Sequence, residues 1–170
     1  MNQINQNIFL IGFMGCGKST VARELNLMCN LSVVEMDQII ADREGLTIPE
    51  IFAARGEEYF RGCETALLRE LKNGSGSVIS CGGGVATRPE NVALMKEQGL
   101  VVLLTARPET ILQRVSHGDD RPLLEGRKNI RDISALMESR RPAYEQAADL
   151  VIETDGKGAA AIAGEILVHM

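Results

Sequence analysis

A glycine-rich stretch with one lysine and one serine stands near the beginning of the chain and could bind phosphate. Residues 12 to 20 read GFMGCGKST and follow the apolar run NIFLI. The pattern GxxxxGK[ST], between a predicted strand and a predicted helix, is typical of a loop whose backbone N–H groups surround phosphate oxygens. Lys18 would supply charge to the β- and γ-phosphates, and the Ser19 hydroxyl a ligand for Mg²⁺. The sequence therefore predicts an ATP-type site formed by Gly12, Gly15, Cys16, Gly17, Lys18, Ser19 and Thr20.

This loop does not identify the reaction, because GTPases, motor ATPases and several kinds of kinase share it. An acidic pair follows in VVEMDQII, where Glu35 and Asp37 are two residues apart and would point the same way on extended backbone. Asp37 would lie at the carboxyl end of a strand, where open α/β sheets bind ligands, and could accept the proton of an acceptor hydroxyl. The alternative is that Asp37 is the N-cap of the following helix.

Arginine and glycine supply the next candidates. Arg61, in EEYFRGCETALL, could bind a carboxylate or phosphate through its planar fork, or could pair within its helix with Glu57 or Glu64. Gly82, Gly83 and Gly84 follow the predicted strand SVISC and would let the main chain approach a ligand closely, the alternative being a tight turn. This strand lacks the terminal acid of a Walker B motif, which argues against a motor ATPase.

The second half of the chain adds four arginines. Arg114 ends a predicted helix, and Arg121 lies in the polar segment 116–129, which is either a mobile lid or a solvated loop. As part of a lid, Arg121 could act as an internal arginine finger on the γ-phosphoryl group. Arg140 and Arg141 are adjacent in a predicted helix and point to different sides, so at most one of them faces a site.

Short β-branched runs alternate with helical patterns and must position these residues. Strands are predicted at 7–12, 32–36, 77–81, 100–105 and 150–154, and helices from near Lys18, Pro49, Pro89, Pro108, Ile130 and Gly158. Continuous apolar runs of this kind favour a parallel sheet that is covered on both faces. We therefore expect one α/β domain over residues 1–170, with three α/β/α layers and a five-stranded parallel sheet. Residues 37–73 contain no strand, and we expect a helical substrate-binding insert at about 37–64 and a lid at about 116–129.

Composition excludes several other classes. The net charge of −5 argues against nucleic-acid binding, and 45% hydrophobic residues with 24% charged residues is typical of a globular protein. No apolar segment is long enough to cross a membrane, and no basic residue precedes the first apolar run as in a signal peptide. The four cysteines lack zinc-site or disulfide spacing, which favours a cytoplasmic protein.

In combination, these segments resemble the shikimate kinase family. GFMGCGKST, EMD, FRGCE, CGGG, DDRPLL and SRRPAY occur in the family's order and spacing, over about residues 8 to 157. The resemblance implies ATP-dependent phosphorylation of the 3-hydroxyl of shikimate by a monomer with a nucleoside-monophosphate-kinase type of fold. Asp37 would bind ring hydroxyls as the base, and Arg61 and Arg140 would hold the shikimate carboxylate. Gly83 and Gly84 would lie against the ring, Arg121 near the transferred phosphate, and Arg114 and the loop ETDGK beside the adenine.

One residue departs from the family pattern. The family usually has Asp-x-Asp at the end of the second strand, and the first of these residues commonly reaches Mg²⁺ through water. This chain has Glu35 at that first position. The rival interpretations are another small-metabolite kinase such as a gluconate kinase, a nucleoside-monophosphate kinase, and a nucleotide-dependent switch without transferase activity. Cys16 also suggests the hypothesis that the loop is sensitive to thiol reagents, which protection of Cys16 from alkylation by bound ATP would support.

Overall fold

The computed structural model describes residues 4–74, 76–115 and 129–170, and strands and helices alternate along them. The strands are β1 (Asn7–Ile11), β2 (Ser32–Glu35), β3 (Ser77–Ser80), β4 (Gly99–Thr105) and β5 (Leu150–Glu153). The helices are α1 (Lys18–Cys29), α2 (Met36–Glu44), α3 (Ile48–Arg55), α4 (Glu57–Leu71), α5 (Pro89–Gln98), α6 (Pro108–Val115), α7 (Ile130–Ala147) and α8 (Ala159–Val168). A 3₁₀ turn, Val85–Thr87, follows the glycines at 82–84.

All five strands are parallel, in the order β2-β3-β1-β4-β5, which confirms the predicted α/β class and the five-stranded parallel sheet. The central strand β1 is buried along its whole length because both of its faces are covered. This is why its sequence is continuously apolar rather than alternating. The carboxyl ends of the strands meet at one edge of the sheet, and the loops that follow β1, β2 and β3 emerge there.

The second strand is one residue shorter than predicted, and this changes the position of Asp37. β2 ends at Glu35 and α2 begins at Met36, so Asp37 lies in the first turn of a helix. The expectation that Glu35 and Asp37 both project from extended backbone is therefore wrong. The N-cap alternative for Asp37 is wrong as well, since Glu35 occupies that position.

Three consecutive helices, α2, α3 and α4, connect β2 to β3 and occupy the segment for which we predicted a helical insert. Thr47 caps α3 by accepting a hydrogen bond from the backbone N–H of Glu50, and Ile48-Pro49 form its first turn. Helix α4 packs against α3 and α5 and buries Phe60, Leu67 and Leu68. No helix of the described ranges is long and apolar enough to cross a membrane.

Candidate active site

The loop between β1 and α1 has a backbone shape that only glycine accommodates. Gly12, Gly15 and Gly17 have φ angles of 142°, 83° and 97°, in the left-handed region where side chains are strained. A Cβ on Gly12 would overlap the carbonyl oxygen of Leu104 on β4, and a Cβ on Gly15 would lie 2.9 Å from Val115. The predicted glycine positions are therefore required by geometry as well as by the motif.

Helix α1 presents an uncapped N-terminus to this loop. Gly17 occupies the cap position, and no side chain of the described residues caps the helix, whereas Asn129 caps α7. The first-turn N–H groups of α1 and the positive end of its dipole are thus available to an anion. Lys18 extends back over the loop and donates to the carbonyl oxygens of Gly12, at 2.6 Å, and Phe13, at 3.3 Å. The loop therefore has the donors that a triphosphate needs.

Oxygen ligands suited to Mg²⁺ lie beside the loop. The Ser19 hydroxyl donates to Glu35 Oε2 at 2.9 Å and lies 3.3 Å from the Ser80 hydroxyl. Mg²⁺ binds few protein oxygens directly and retains water and phosphate ligands, so a hydroxyl with a nearby carboxylate fits this ion. Ser80 was not among the residues predicted from the sequence, and the available signal was a serine in place of an acid at the end of β3.

The glycines at 82–84 bring three of the predicted acceptor residues together. An ideal Cβ on the first glycine would lie 2.9 Å from Asp37 Oδ1, and one on the second 3.1 Å from Arg140 Nη1. A Cβ on the third would overlap the guanidinium of Arg61. None of these three glycines has a left-handed φ, so the close packing of charged side chains on the backbone is the reason for glycine here.

Arg61 makes its intrahelical ion pairs and also faces the glycines, so the two sequence-based alternatives are compatible. Its guanidinium is buried and donates to Glu64 Oε1 at 2.7 Å and to Glu57 Oε1 at 3.2 Å. Glu64 is fully buried, and burial raises the pKa of its carboxyl to about 7 even though the nearby Arg61 charge lowers it. Sequence reasoning considered Glu64 only as a helix partner of Arg61 and missed that it lies at the site.

Helix α7 contributes Arg140 from its buried face. Arg140 lies with its guanidinium carbon 5.9 Å from the centre of the Phe13 ring, and its Nη1 has no hydrogen-bond partner among the described residues. Tyr144, one turn later, donates its hydroxyl hydrogen bond to the carbonyl oxygen of Gly83, and burial raises the pKa of this phenol to about 12. Arg141 pairs instead with Glu138 on the exposed side of the helix.

The C-terminal end of α6 holds the phosphate loop. Arg114 Nη1 donates to the carbonyl oxygen of Gly15 at 2.9 Å. In the ETDGK loop after β5, the Asp155 carboxylate accepts from the backbone N–H of Arg107 at 3.0 Å. Arg121 and most of the predicted lid, residues 116–128, lie outside the described residues.

The thiol of Cys16 is buried beneath the loop, so a reagent would have to open the loop to reach it. The hypothesis that this loop is sensitive to thiol reagents therefore loses its structural support.

One cleft of about 1070 Å³ joins the two halves of the site, with Lys18 and Ser19 at one end and Arg61 and Arg140 at the other. A triphosphate loop next to a pocket with two arginines and a carboxylate, at the carboxyl edge of a parallel sheet, defines a P-loop kinase with a small anionic acceptor. The shikimate kinase family model matches residues 14–170. The chain belongs to the shikimate kinase family.

Individual relatives agree with this assignment. A shikimate kinase of Moorella thermoacetica is 47% identical over 160 residues, which cover 94% of this chain and 91% of that protein. A solved structure of the Acinetobacter baumannii shikimate kinase in complex with shikimate has a TM-score of 0.92 and 36% identity, and the match covers 97% of this chain and 92% of that one. The Aquifex aeolicus shikimate kinase structure has a TM-score of 0.81 and 37% identity, with 95% and 94% covered.

Proposed function

We propose that this protein transfers the γ-phosphoryl group of ATP to the 3-hydroxyl of shikimate, releasing shikimate 3-phosphate and ADP, as a step of aromatic amino-acid biosynthesis. The observation that carries the proposal is the convergence of Asp37, Arg61 and Arg140 on the glycines at 82–84, next to the phosphate loop. Membership in the shikimate kinase family supports the choice of acceptor.

On the acceptor side, Arg61 and Arg140 bind the carboxylate of shikimate. Both guanidiniums are buried, so a carboxylate that reaches them forms charge-assisted hydrogen bonds with little competition from water. Arg140 Nη1, which has no partner among the described residues, gains one in this way. Asp37 binds ring hydroxyls and accepts the proton of the 3-hydroxyl. The oxygen of that hydroxyl bonds to the γ-phosphorus while the bond from the γ-phosphorus to ADP breaks. The glycine backbone leaves room for the ring.

On the donor side, catalysis rests on positioning and charge neutralisation. The loop N–H groups and Lys18 hold the phosphates, with Gly12, Gly15, Cys16, Gly17, Ser19 and Thr20 forming the loop. Arg114 lies beside the adenine. Arg121 would be the lid arginine near the transferred phosphoryl group. The segment at about 37–64 would be the substrate-binding helical insert and the segment at about 116–129 the lid.

Mg²⁺ is the cofactor of the reaction, and it neutralises phosphate charge when bound. Ser19 would be its direct ligand, and Glu35 would reach it through water. The Ser19 hydroxyl donates to Glu35 Oε2, so the two groups lie side by side, and the longer side chain of glutamate is compatible with this role.

A coupled assay of ADP release tests the proposal with shikimate, gluconate and nucleoside monophosphates as acceptors, each with and without Mg²⁺. We expect Mg²⁺-dependent ADP release with shikimate as the acceptor, and none with gluconate or the nucleoside monophosphates. Turnover with gluconate would instead indicate a gluconate kinase. ADP release that is independent of every acceptor would indicate a nucleotide-dependent switch.

The enzyme acts as a cytoplasmic monomer that binds neither nucleic acid nor membrane. The phosphate loop and the acceptor pocket lie on the same chain, and the spacing of the four cysteines, which does not suit a disulfide framework, favours a reducing compartment. Light scattering during size-exclusion chromatography checks the monomer, and a mass of twice 18.5 kDa would overturn it.

A further inference from the structure

Glu64 is a buried acid on α4 that lies beside Arg61 and Gly82 of the acceptor pocket. Its Oε1 accepts the hydrogen bond from Arg61, while its Oε2 has no hydrogen-bond partner among the described residues. That second oxygen faces the glycine segment, since a Cβ on Gly82 would lie 2.5 Å from it. Asp37 Oδ1 faces the same glycine. A fully buried carboxylate with one unsatisfied oxygen beside a second carboxylate is costly in its charged form.

We propose that binding of the acceptor's carboxylate to Arg61 and Arg140 is coupled to the uptake of one proton by Glu64. This inference rests on the proposed function, because it requires an anionic acceptor at the two arginines.

Glu64 has charged and titratable neighbours on its own helix and on three other segments. On its own helix these are Arg61, Glu57, which pairs with Arg61, and the thiol of Cys63; from other elements they are Asp37 on α2, Arg140 on α7 and the thiol of Cys81 after β3. Burial raises the pKa of both thiols, so they stay neutral at physiological pH. On the pocket side, two guanidiniums thus face the carboxylates of Asp37 and Glu64, while the exposed Glu57 pairs with Arg61 from the other side. The pKa of Glu64, about 7, shows that in this balance its ionised and protonated forms are close in free energy.

An acceptor carboxylate disturbs this balance in one direction. It brings a third negative charge and competes with Glu64 for the hydrogen bonds of Arg61. Both effects penalise ionised Glu64, and a like charge within about 4–6 Å shifts a carboxyl group by about one pH unit or more. Glu64 then takes up a proton from the buffer, which offsets part of the charge that the acceptor brings. The protonated Oε2 becomes a hydrogen-bond donor on the side that faces Gly82 and Asp37.

Isothermal titration calorimetry of shikimate binding to the full chain at pH 7.5 tests the coupling. The titration is repeated in buffers of small and large ionisation enthalpy, such as PIPES and Tris, and the slope of observed enthalpy against ionisation enthalpy is the number of protons taken up. For an upward shift of about one pH unit from a pKa of about 7, we expect about half a proton per shikimate. A slope near zero in the wild-type protein would overturn the proposal.

Two controls assign the proton to Glu64 and to the substrate charge. Glu64→Gln, which keeps the shape of the side chain, should reduce uptake to near zero, whereas Glu58→Gln, on the exposed part of the same helix, should leave it unchanged. The methyl ester of shikimate should bind the wild-type protein more weakly and without proton uptake. Undiminished uptake in Glu64→Gln, or equal uptake with the ester, contradicts the proposal.

The ester and wild-type experiments remain informative if Glu64→Gln fails to fold. Failure of the proposed function is distinguishable: shikimate would then give neither binding heat nor turnover, and both proposals would fall. Binding and turnover without buffer dependence would remove the proton coupling alone.

Discussion

At the scale of single residues, Asp37 and Glu64 show how position sets the chemistry of two similar side chains. Both face Gly82, but Glu64 is fully buried on α4 and bound to Arg61, whereas Asp37 lies in the first turn of α2 and lines the cleft. The site needs an ionised carboxylate where the acceptor hydroxyl binds and can accommodate a neutral acid behind it. Asp37 is therefore the proposed base, and Glu64 is the proposed acceptor of the proton that accompanies binding.

Asp37→Asn should lower kcat by about 10²- to 10⁴-fold, because the amide cannot accept the hydroxyl proton. Affinity for ATP should change little, since the phosphate loop is intact. ADP release measures the first effect and a nucleotide titration the second. Asp42→Asn, an exposed change on the same helix that keeps an oxygen to accept the hydrogen bond from Gln38, is the matched control. A kcat near that of the wild type in Asp37→Asn would remove Asp37 as the base.

Glu64→Gln should change how stability depends on pH. The folded-state pKa of Glu64 is raised from 4.5 to about 7, so between these values the folded protein binds more protons than the unfolded chain. The wild-type protein therefore loses stability as pH rises through this window, and the glutamine variant does not. From pH 5 to pH 8, the free energy of unfolding of the variant should gain about 2 to 3 kcal/mol relative to wild type, measured by urea unfolding. If the free energies of unfolding of the variant and the wild type differed by the same amount at pH 5 and pH 8, the raised pKa of Glu64 would be contradicted.

At the scale of elements, the glycine segment after β3 is positioned from two sides. Tyr144 on α7 donates to the carbonyl oxygen of Gly83. On the other side, Thr65 on α4 donates to Asn91 Oδ1, and the Asn91 amide donates to the carbonyl oxygen of Val85 at 3.0 Å. The backbone against which Arg61 and Arg140 pack is thus held by α4, α5 and α7 together.

Gly84→Ala should preserve the fold but weaken shikimate binding. The added methyl group would overlap the Arg61 guanidinium, which is the movable end of a long side chain, so the arginine shifts while the backbone stays. We expect KM for shikimate to rise by about tenfold or more, because this factor corresponds to the free energy of one charge-assisted hydrogen bond. KM for ATP should be unchanged. Steady-state kinetics measures both.

The control for this variant is Gly62→Ala, next to Arg61 in α4. A methyl group there meets nothing within 4 Å, so KM for shikimate should remain at the wild-type value. An unaltered KM in Gly84→Ala would show that Arg61 does not need its present position to bind the acceptor.

At the scale of the whole molecule, the site depends on the close pairing of the central strands. β1 pairs with β4 at Asn7 and Gly99, and a Cβ on Gly99 would overlap the carbonyl oxygen of Asn7. The phosphate loop begins where β1 ends, so any change in the β1–β4 spacing also moves that loop.

Gly99→Ala should therefore lower the free energy of unfolding by about 1 to 3 kcal/mol, the typical cost of overpacking. The matched change Gly164→Ala, in α8, meets nothing within 4 Å and should raise it by about 0.5 to 1 kcal/mol, because alanine restricts the unfolded chain. Denaturant unfolding of both variants checks the contrast. Equal stability of the two variants would show that the sheet absorbs the extra methyl group.

Much of the fold could be predicted from the sequence because the relevant signals are local. The apolar runs gave the five parallel strands to within a residue or so at each end, and the prolines at 89 and 108 coincide with the first residues of α5 and α6. The second strand was predicted to include Met36, an apolar residue that continues the run before it, whereas this residue begins α2. That single residue separates an Asp37 on extended backbone from an Asp37 in a helical turn.

The sequence by itself determined the phosphate loop, since consecutive residues form it and its glycines are required by the local φ angles. Only the tertiary structure decided that the glycines at 82–84 receive the side chains of Asp37, Arg61 and Arg140, and that Glu64 is buried behind them. These contacts join residues that are far apart in the chain. Burial and charge in such a cluster depend on the packing of several elements at once, which no local pattern records.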